Sequence, residues 1–287
     1  MKIISSCFLS LLLLAGCSIQ KIAVKSTAGI LIVGMPTFLE ESDLPLAELA
    51  LGSNLKFLEV LIRNDPDNQK LLLLAAEAYT SYTLGFIQDK YPERARNFYL
   101  RARDYALRVL NKNKNFRKAL NQDIEQFKSA LNTFKRSDVP ALFWTANAWG
   151  SYINLDLTDV DAIASLPKVQ AIMEKALELN ETFYYGGPHA FLGTLFASRS
   201  RILGGDPERA KEHFTKCLEI SNQSFLLWKY LFAMSYAVQS QDRDLFKRQL
   251  QEILDAPNDI LPEQRLANEI AKEKAKALLE KEDELFF

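Results

Sequence analysis

Three apolar or small residues at spacings of four and then three recur along this chain, and that pattern constrains its fold most. It reads Leu51/Leu55/Leu58, Ala95/Tyr99/Ala102, Val169/Met173/Ala176, Ala210/Phe214/Cys217 and Phe246/Leu250/Ile253. Residues so spaced share one face of an α-helix, so each trio marks a helix with a buried stripe. The small members let a partner helix approach closely, and the aromatic or Leu fills the groove. Gly (11) and Pro (10) are scarce in 287 residues, against roughly 7% and 5% of an average chain. A β-sandwich or barrel needs more turn chemistry than that.

Leu192-Gly193 with Phe196 fits the first-helix spacing of a tetratricopeptide unit, in which two helices form each repeat. The fold class predicted is all-α: a tetratricopeptide-like helical-hairpin array with an extra helix and a C-terminal capping helix. Asn64-Asp65-Pro66-Asp67-Asn68 closes the first helix, Leu71 to Ile87 forms a second, and Tyr91-Pro92-Glu93 starts a third. Phe116 to Phe134 reads as the extra helix, and Pro140 opens the next. Asn180, Gly186-Gly187-Pro188, Gly204-Gly205-Asp206-Pro207 and Ala256-Pro257-Asn258 read as later stops. Glu263 to Leu285 is the charged capping helix, docked by Leu266, Ile270 and Leu278. Its Glu269–Glu284 run reads as a solvated face.

The N-terminus carries Lys2, a run of mostly apolar residues from Ile3 to Gly16, and then Cys17. That is the shape of a secretory signal, too short for a bilayer span of about 20 residues. Leu14-Ala15-Gly16-Cys17 resembles the bacterial lipobox, in which the Cys becomes the lipid-modified first residue of the mature protein. The domains expected are a signal peptide over 1–16, a lipidated tether over 17–45 and the helical domain over 46–287. In the tether, Gly29 and Gly34 interrupt an apolar stretch, which reads as an irregular segment pinned to the domain. Ser18 after the Cys, rather than Asp, resembles the outer-membrane address. The expected location is the bacterial cell envelope, lipid-anchored at the outer membrane and facing the periplasm. Several acyl chains, at about 0.8 kcal/mol per buried CH₂, suffice for that anchorage. With Cys7 in the signal and Cys17 acylated, Cys217 stands alone, and its place in a trio makes it a small core residue.

Chemistry is sparse. The 35 basic and 36 acidic residues leave a formal charge of −1, which gives no field for nucleic acid. His189 and His213 lie outside any ligand spacing, and a zinc site needs three or four protein ligands. There is no Gly-rich phosphate loop, no nucleophile elbow and no Cys/His pair. The chain therefore reads as a non-enzyme, without catalytic residues, metal or cofactor.

Two clusters stand out as candidates for binding a ligand or partner. One is the helix bearing Trp144, Trp149 and Tyr152. The other is Tyr185-Gly186-Gly187-Pro188-His189, followed by Arg199 and Arg201. Aromatics beside Arg could line a chamber in which Arg engages a carboxylate in a bidentate pair. The competing reading for each cluster is helix packing. Asp206 before Pro207 is an N-cap with Pro at N1.

These stretches carry a family resemblance. Tyr185-Gly186-Gly187-Pro188-His189, Leu192-Gly193, Arg201, Leu203-Gly204-Gly205-Asp206, Ala210 and Phe214 form its strongest part. Pro66-Asp67-Asn68, Tyr79, Ser81-Tyr82, Arg101 to Leu110 and Trp144 to Tyr152 support it. The chain resembles the TatT family, lipoproteins named as the T component associated with TRAP transporters. The match covers most of residues 46–255 and includes the lipobox; the 18–45 segment matches loosely. The resemblance implies an all-helical periplasmic protein that associates with a TRAP-type substrate-binding protein. It also implies handling of a small hydrophobic or organic-acid ligand, and it leaves homo-oligomerisation open. The alternative, from another class, is a tetratricopeptide scaffold lipoprotein for envelope assembly. A deep aromatic chamber would favour the ligand reading, and a wide exposed groove the scaffold.

Overall fold

The computed structural model describes residues 22–201 and 204–286. Cys17 and the signal-like segment lie outside the described residues. Among those described there is no strand, and the protein is an all-α helical array. Its long helices are α1 (Ile22–Leu39), α2 (Leu44–Asn64), α3 (Gln69–Tyr82) and α4 (Pro92–Leu110). Two short helices follow, α5 (Lys114–Ala119) and α6 (Ile124–Leu131). Next come α7 (Val139–Asn154), the short α8 (Val160–Ile163), α9 (Leu166–Leu179), α10 (Phe183–Ala197) and α11 (Pro207–Ile220). The chain ends with α12 (Leu226–Leu231), α13 (Arg243–Asp255), α14 (Arg265–Leu279) and α15 (Glu282–Leu285).

Burial explains why these segments are helical. Every trio residue except Leu51 is buried, and Leu51 still packs against the core. Their removal from water supplies the main stabilisation, about 1.5–3 kcal/mol for each large aliphatic or aromatic side chain. The ends are set by local chemistry. Asp43, Asn68, Asn113, Asp123, Asp206 and Asp242 cap N-termini with side-chain oxygens, and Pro stands at N1 or N2 of α2, α4, α7, α9 and α11. Neighbours in sequence are mostly neighbours in space: α2 on α3, α3 on α4, α7 on α9, α9 on α10, α10 on α11, and α13 on α14. The array closes on itself, because α14 returns to touch both α12 and α2.

Four expectations need correction. Residues 22–39 form a continuous helix and not an irregular segment. Val24 and Ala28 are buried, and Leu31 and Met35 pack behind them. A Cβ added at Gly29 or Gly34 would meet nothing, so each glycine costs the helix only its propensity, about 1 kcal/mol. By length and composition alone, this helix is long and apolar enough to cross a membrane. Next, the helix expected over Phe116 to Phe134 is two helices, split where Asp123 accepts from the Gln126 N–H at 2.9 Å. Third, Gly186-Gly187-Pro188 does not stop a helix; it lies at the start of α10, where a left-handed turn precedes Pro188. Last, the Glu269–Glu284 run is not wholly solvated. Lys272 and Lys274 are buried, reaching Asn258 and Asp89.

Candidate ligand chamber

Closure of the array leaves a cavity of about 200 Å³ at its centre. An apolar cavity of roughly 150 Å³ already admits benzene. The wall is drawn from nearly every layer: Glu77 and Ser81 of α3, Trp144, Asn147 and Ser151 of α7, Tyr184, Gly187 and Phe191 of α10, Phe225 just before α12 and Trp228 on it, and Leu266 and Ile270 of α14. Met35 and Leu39 bring α1 to its edge, and Leu51 brings α2. Two π-helical turns, Thr83–Ile87 and Phe232–Ala237, also contribute wall residues. Such wide turns are frequent at functional sites, since they break helical register and re-aim side chains.

A strained turn carries the aromatic end of the wall. Tyr184 (φ 48°, ψ 55°), Tyr185 (φ 56°, ψ 36°) and Gly186 (φ 81°, ψ 22°) are all left-handed. For the two tyrosines that conformation costs roughly 1–2 kcal/mol apiece. Gly186 is required, since a Cβ at its φ would be strained and would stand 3.1 Å from Cys217 Cα. The turn persists because its rings are held. Tyr185 stacks on Phe225 at 5.0 Å, and Tyr184 meets the edge of Trp144 at 5.1 Å. The Trp228 indole donates to the Tyr185 carbonyl at 2.8 Å.

One wall residue is ionisable at ordinary pH. Glu77 faces the cavity from the middle of α3 and makes no hydrogen bond or ion pair with any described residue. It is partly exposed, and it lines the cavity. Burial alone pushes its carboxyl up to about 7. Burial, and after it the nearby Glu77 charge, hold the Tyr184 phenol above its ordinary range. No described Lys, Arg or His is in the wall.

The candidates read from sequence divide. Trp144, Gly187 and, through its turn, Tyr185-Gly186 belong to the chamber or its frame. Trp149 is half-buried away from it, under the Arg103 guanidinium at 5.4 Å. Tyr152 accepts from Arg96 at 3.0 Å and donates to Asp159 at 3.2 Å. Pro188 is buried at the start of α10. His189 is buried and does not point away from the helices: its Nδ1 lies 2.9 Å from His213 Nδ1, and its Nε2 lies 3.5 Å from Glu181. Burial, and then its neighbours His189 and Arg209, push His213 down to about 4. Arg199 donates to the Leu195 carbonyl at 3.0 Å and to Gln170 at 3.2 Å, and Arg201 is exposed. Neither Arg reaches the chamber wall. Asp206 accepts from the Arg209 N–H at 3.1 Å as the cap of α11. Glu77 escaped the sequence reading, although its signal was present: it is the sole charge in the apolar run from Leu71 to Ile87.

Comparison with known proteins agrees with this architecture. The family described as TRAP transporter T-component matches residues 40–286. An uncharacterized protein of Treponema pallidum (strain Nichols) is 27% identical over 243 residues, covering 73% of this chain and 75% of the relative. The family match spans α2 to α15 and thus almost the whole chamber wall. The family is a transporter component, a non-catalytic role associated with TRAP transport in the envelope. On that match, the chain belongs to the TRAP transporter T-component family.

Proposed function

We propose that this protein is a lipid-anchored periplasmic partner of a TRAP-type carrier. It binds the carrier's substrate-binding component and holds a small, largely apolar ligand in its chamber. The observation that carries the ligand half is the aromatic-walled cavity itself. Of the two ligand classes raised from sequence, the hydrophobic one has the support. An organic acid would meet an acidic side chain there and no described cation. Partner binding draws on family membership and on a second feature, an uncovered stripe along α2. Leu46, Leu49, Phe57 and Val60 share one helical face and are all exposed. Apolar side chains left together on a surface mark interaction sites.

The scaffold alternative draws on Trp149 and His189, which serve as packing. The discriminating experiment is sedimentation with a purified TRAP-type substrate-binding protein from the same source. Complex formation that weakens in Leu49→Asp and Phe57→Asp supports the carrier reading. Absence of any complex with the wild type moves the scaffold ahead.

A further inference from the structure

The chamber wall contains a feature that packing does not explain. Glu77 places a carboxylate among Trp144, Tyr184, Phe191 and Trp228 without a donor to meet it. Burying an unpaired carboxylate costs several kcal/mol, and an apolar residue of similar size would fill the position without that penalty. Elsewhere in the interior the buried charges have partners: Lys229 meets Glu252, Lys175 meets Glu178 and Lys274 meets Asp89. The Arg265 Nε is also buried without an acceptor, but among the described wall residues Glu77 is the one charge, and it faces the cavity.

We propose that the chamber selects a small cationic amphiphile, a protonated amine on an apolar body, whose ammonium group pairs with the Glu77 carboxylate. This rests on the chamber being a ligand site. The aromatic faces agree with it, because Trp and Tyr rings attract a cation and repel an anion. The ammonium supplies the donors that Glu77 lacks, and charge-assisted hydrogen bonds of this kind are among the strong ones. The other titratable groups in the wall are Tyr82 of α3, Tyr184 of α10 and Tyr230 of α12, all phenols held neutral by burial. The wall residues of α1, α2, α7 and α14 carry no titratable group. Among the described wall residues, Glu77 is therefore the only one whose charge changes across the neutral range.

The test is calorimetric titration of the purified mature protein with three probes of one shape: phenethylamine, phenethyl alcohol and phenylacetate. The wild type should bind the amine about tenfold or more tighter than the alcohol, and phenylacetate weakest. In Glu77→Gln, which keeps shape and removes the charge, amine and alcohol should bind alike. Lowering the pH from about 8 to about 5 should weaken amine binding to the wild type and leave the alcohol unchanged. An amine preference that survives in Glu77→Gln, or an alcohol that binds the wild type as tightly as the amine, overturns the proposal while leaving the chamber a ligand site. If none of the three binds the wild type, the ligand reading falls, and this proposal with it.

Discussion

Trp228 and Tyr185 are joined across 2.8 Å, indole N–H to backbone carbonyl, and this bond fixes the left-handed turn that aims Tyr184 into the chamber. It links α12 to the start of α10, elements 43 residues apart in sequence. Replacing Trp228 by Phe leaves the Tyr185 carbonyl without its partner. The expected cost is about 1–3 kcal/mol, read from urea unfolding. The Tyr184 ring should also loosen, visible as a loss of near-ultraviolet dichroism. An unchanged midpoint would show that the stacked rings hold the turn by themselves.

Glu77 makes stability depend on pH. Its folded value of about 7 lies above the ordinary 4.5, so the folded state keeps a proton that the unfolded chain has released. Stability is therefore full below about pH 4.5 and falls as pH rises toward 7. The loss amounts to about 3 kcal/mol at most. Glu77→Gln should remove that slope and melt higher than the wild type at alkaline pH, with little difference in acid. Parallel curves for the two proteins would show that the carboxyl is not desolvated.

The His189–His213 pair works in the opposite direction. His213 is held down to about 4, so the unfolded chain takes up a proton near pH 6.5 that the folded protein refuses. The associated stability is present at neutral pH and is lost as pH falls from about 6.5 through the folded value of about 4. An NMR titration of the imidazole protons should leave His213 neutral at pH values where exposed histidines are charged. A midpoint near 6.5 for His213 would contradict the buried pair.

Asp206 caps α11 through the Arg209 N–H. Asp206→Ala should cost about 0.5–2 kcal/mol of stability without altering ligand or partner binding. An unchanged melting temperature would argue against the cap and leave the carboxylate free for binding.

Lipidation at Cys17 is the remaining expectation from sequence. Metabolic labelling with a fatty-acid analogue should mark the wild type and not Cys17→Ser. Equal labelling of both would place the anchor elsewhere or remove it.

The architecture was legible in sequence because its determinants are local. A four-three trio is buried whatever lies beyond its own hairpin, and Asn and Asp start helices through side-chain bonds that span three residues, with Pro in the first turn. What escaped depends on distant partners. Gly29 and Gly34 look like breaks until Val24, Ala28, Leu31 and Met35 find a surface to cover, and then burial outweighs propensity. Lys274 looks solvated until the array closes and brings it to Asp89, 185 residues away in sequence. The site follows the same rule. Trp144 and Gly187 were visible as an aromatic and a glycine cluster, but the sequence could not say that Trp149, one helical turn and a half further, faces Arg103 instead. Glu77 was visible as a charge in an apolar run; only the fold puts it opposite Tyr184 rather than in solvent.

If the chamber is a ligand site, it is occupied by a small molecule in the cell. The direct measurement is native mass spectrometry of the protein, extracted gently from the cells that make it, beside an Asn147→Trp variant shown by circular dichroism to be folded. Asn147 lines the chamber, so the new indole should fill it. The wild type should carry a small molecule that is released on denaturation and is absent from the variant. Wild type and variant that are equally bare, or that carry the same adduct, would contradict it.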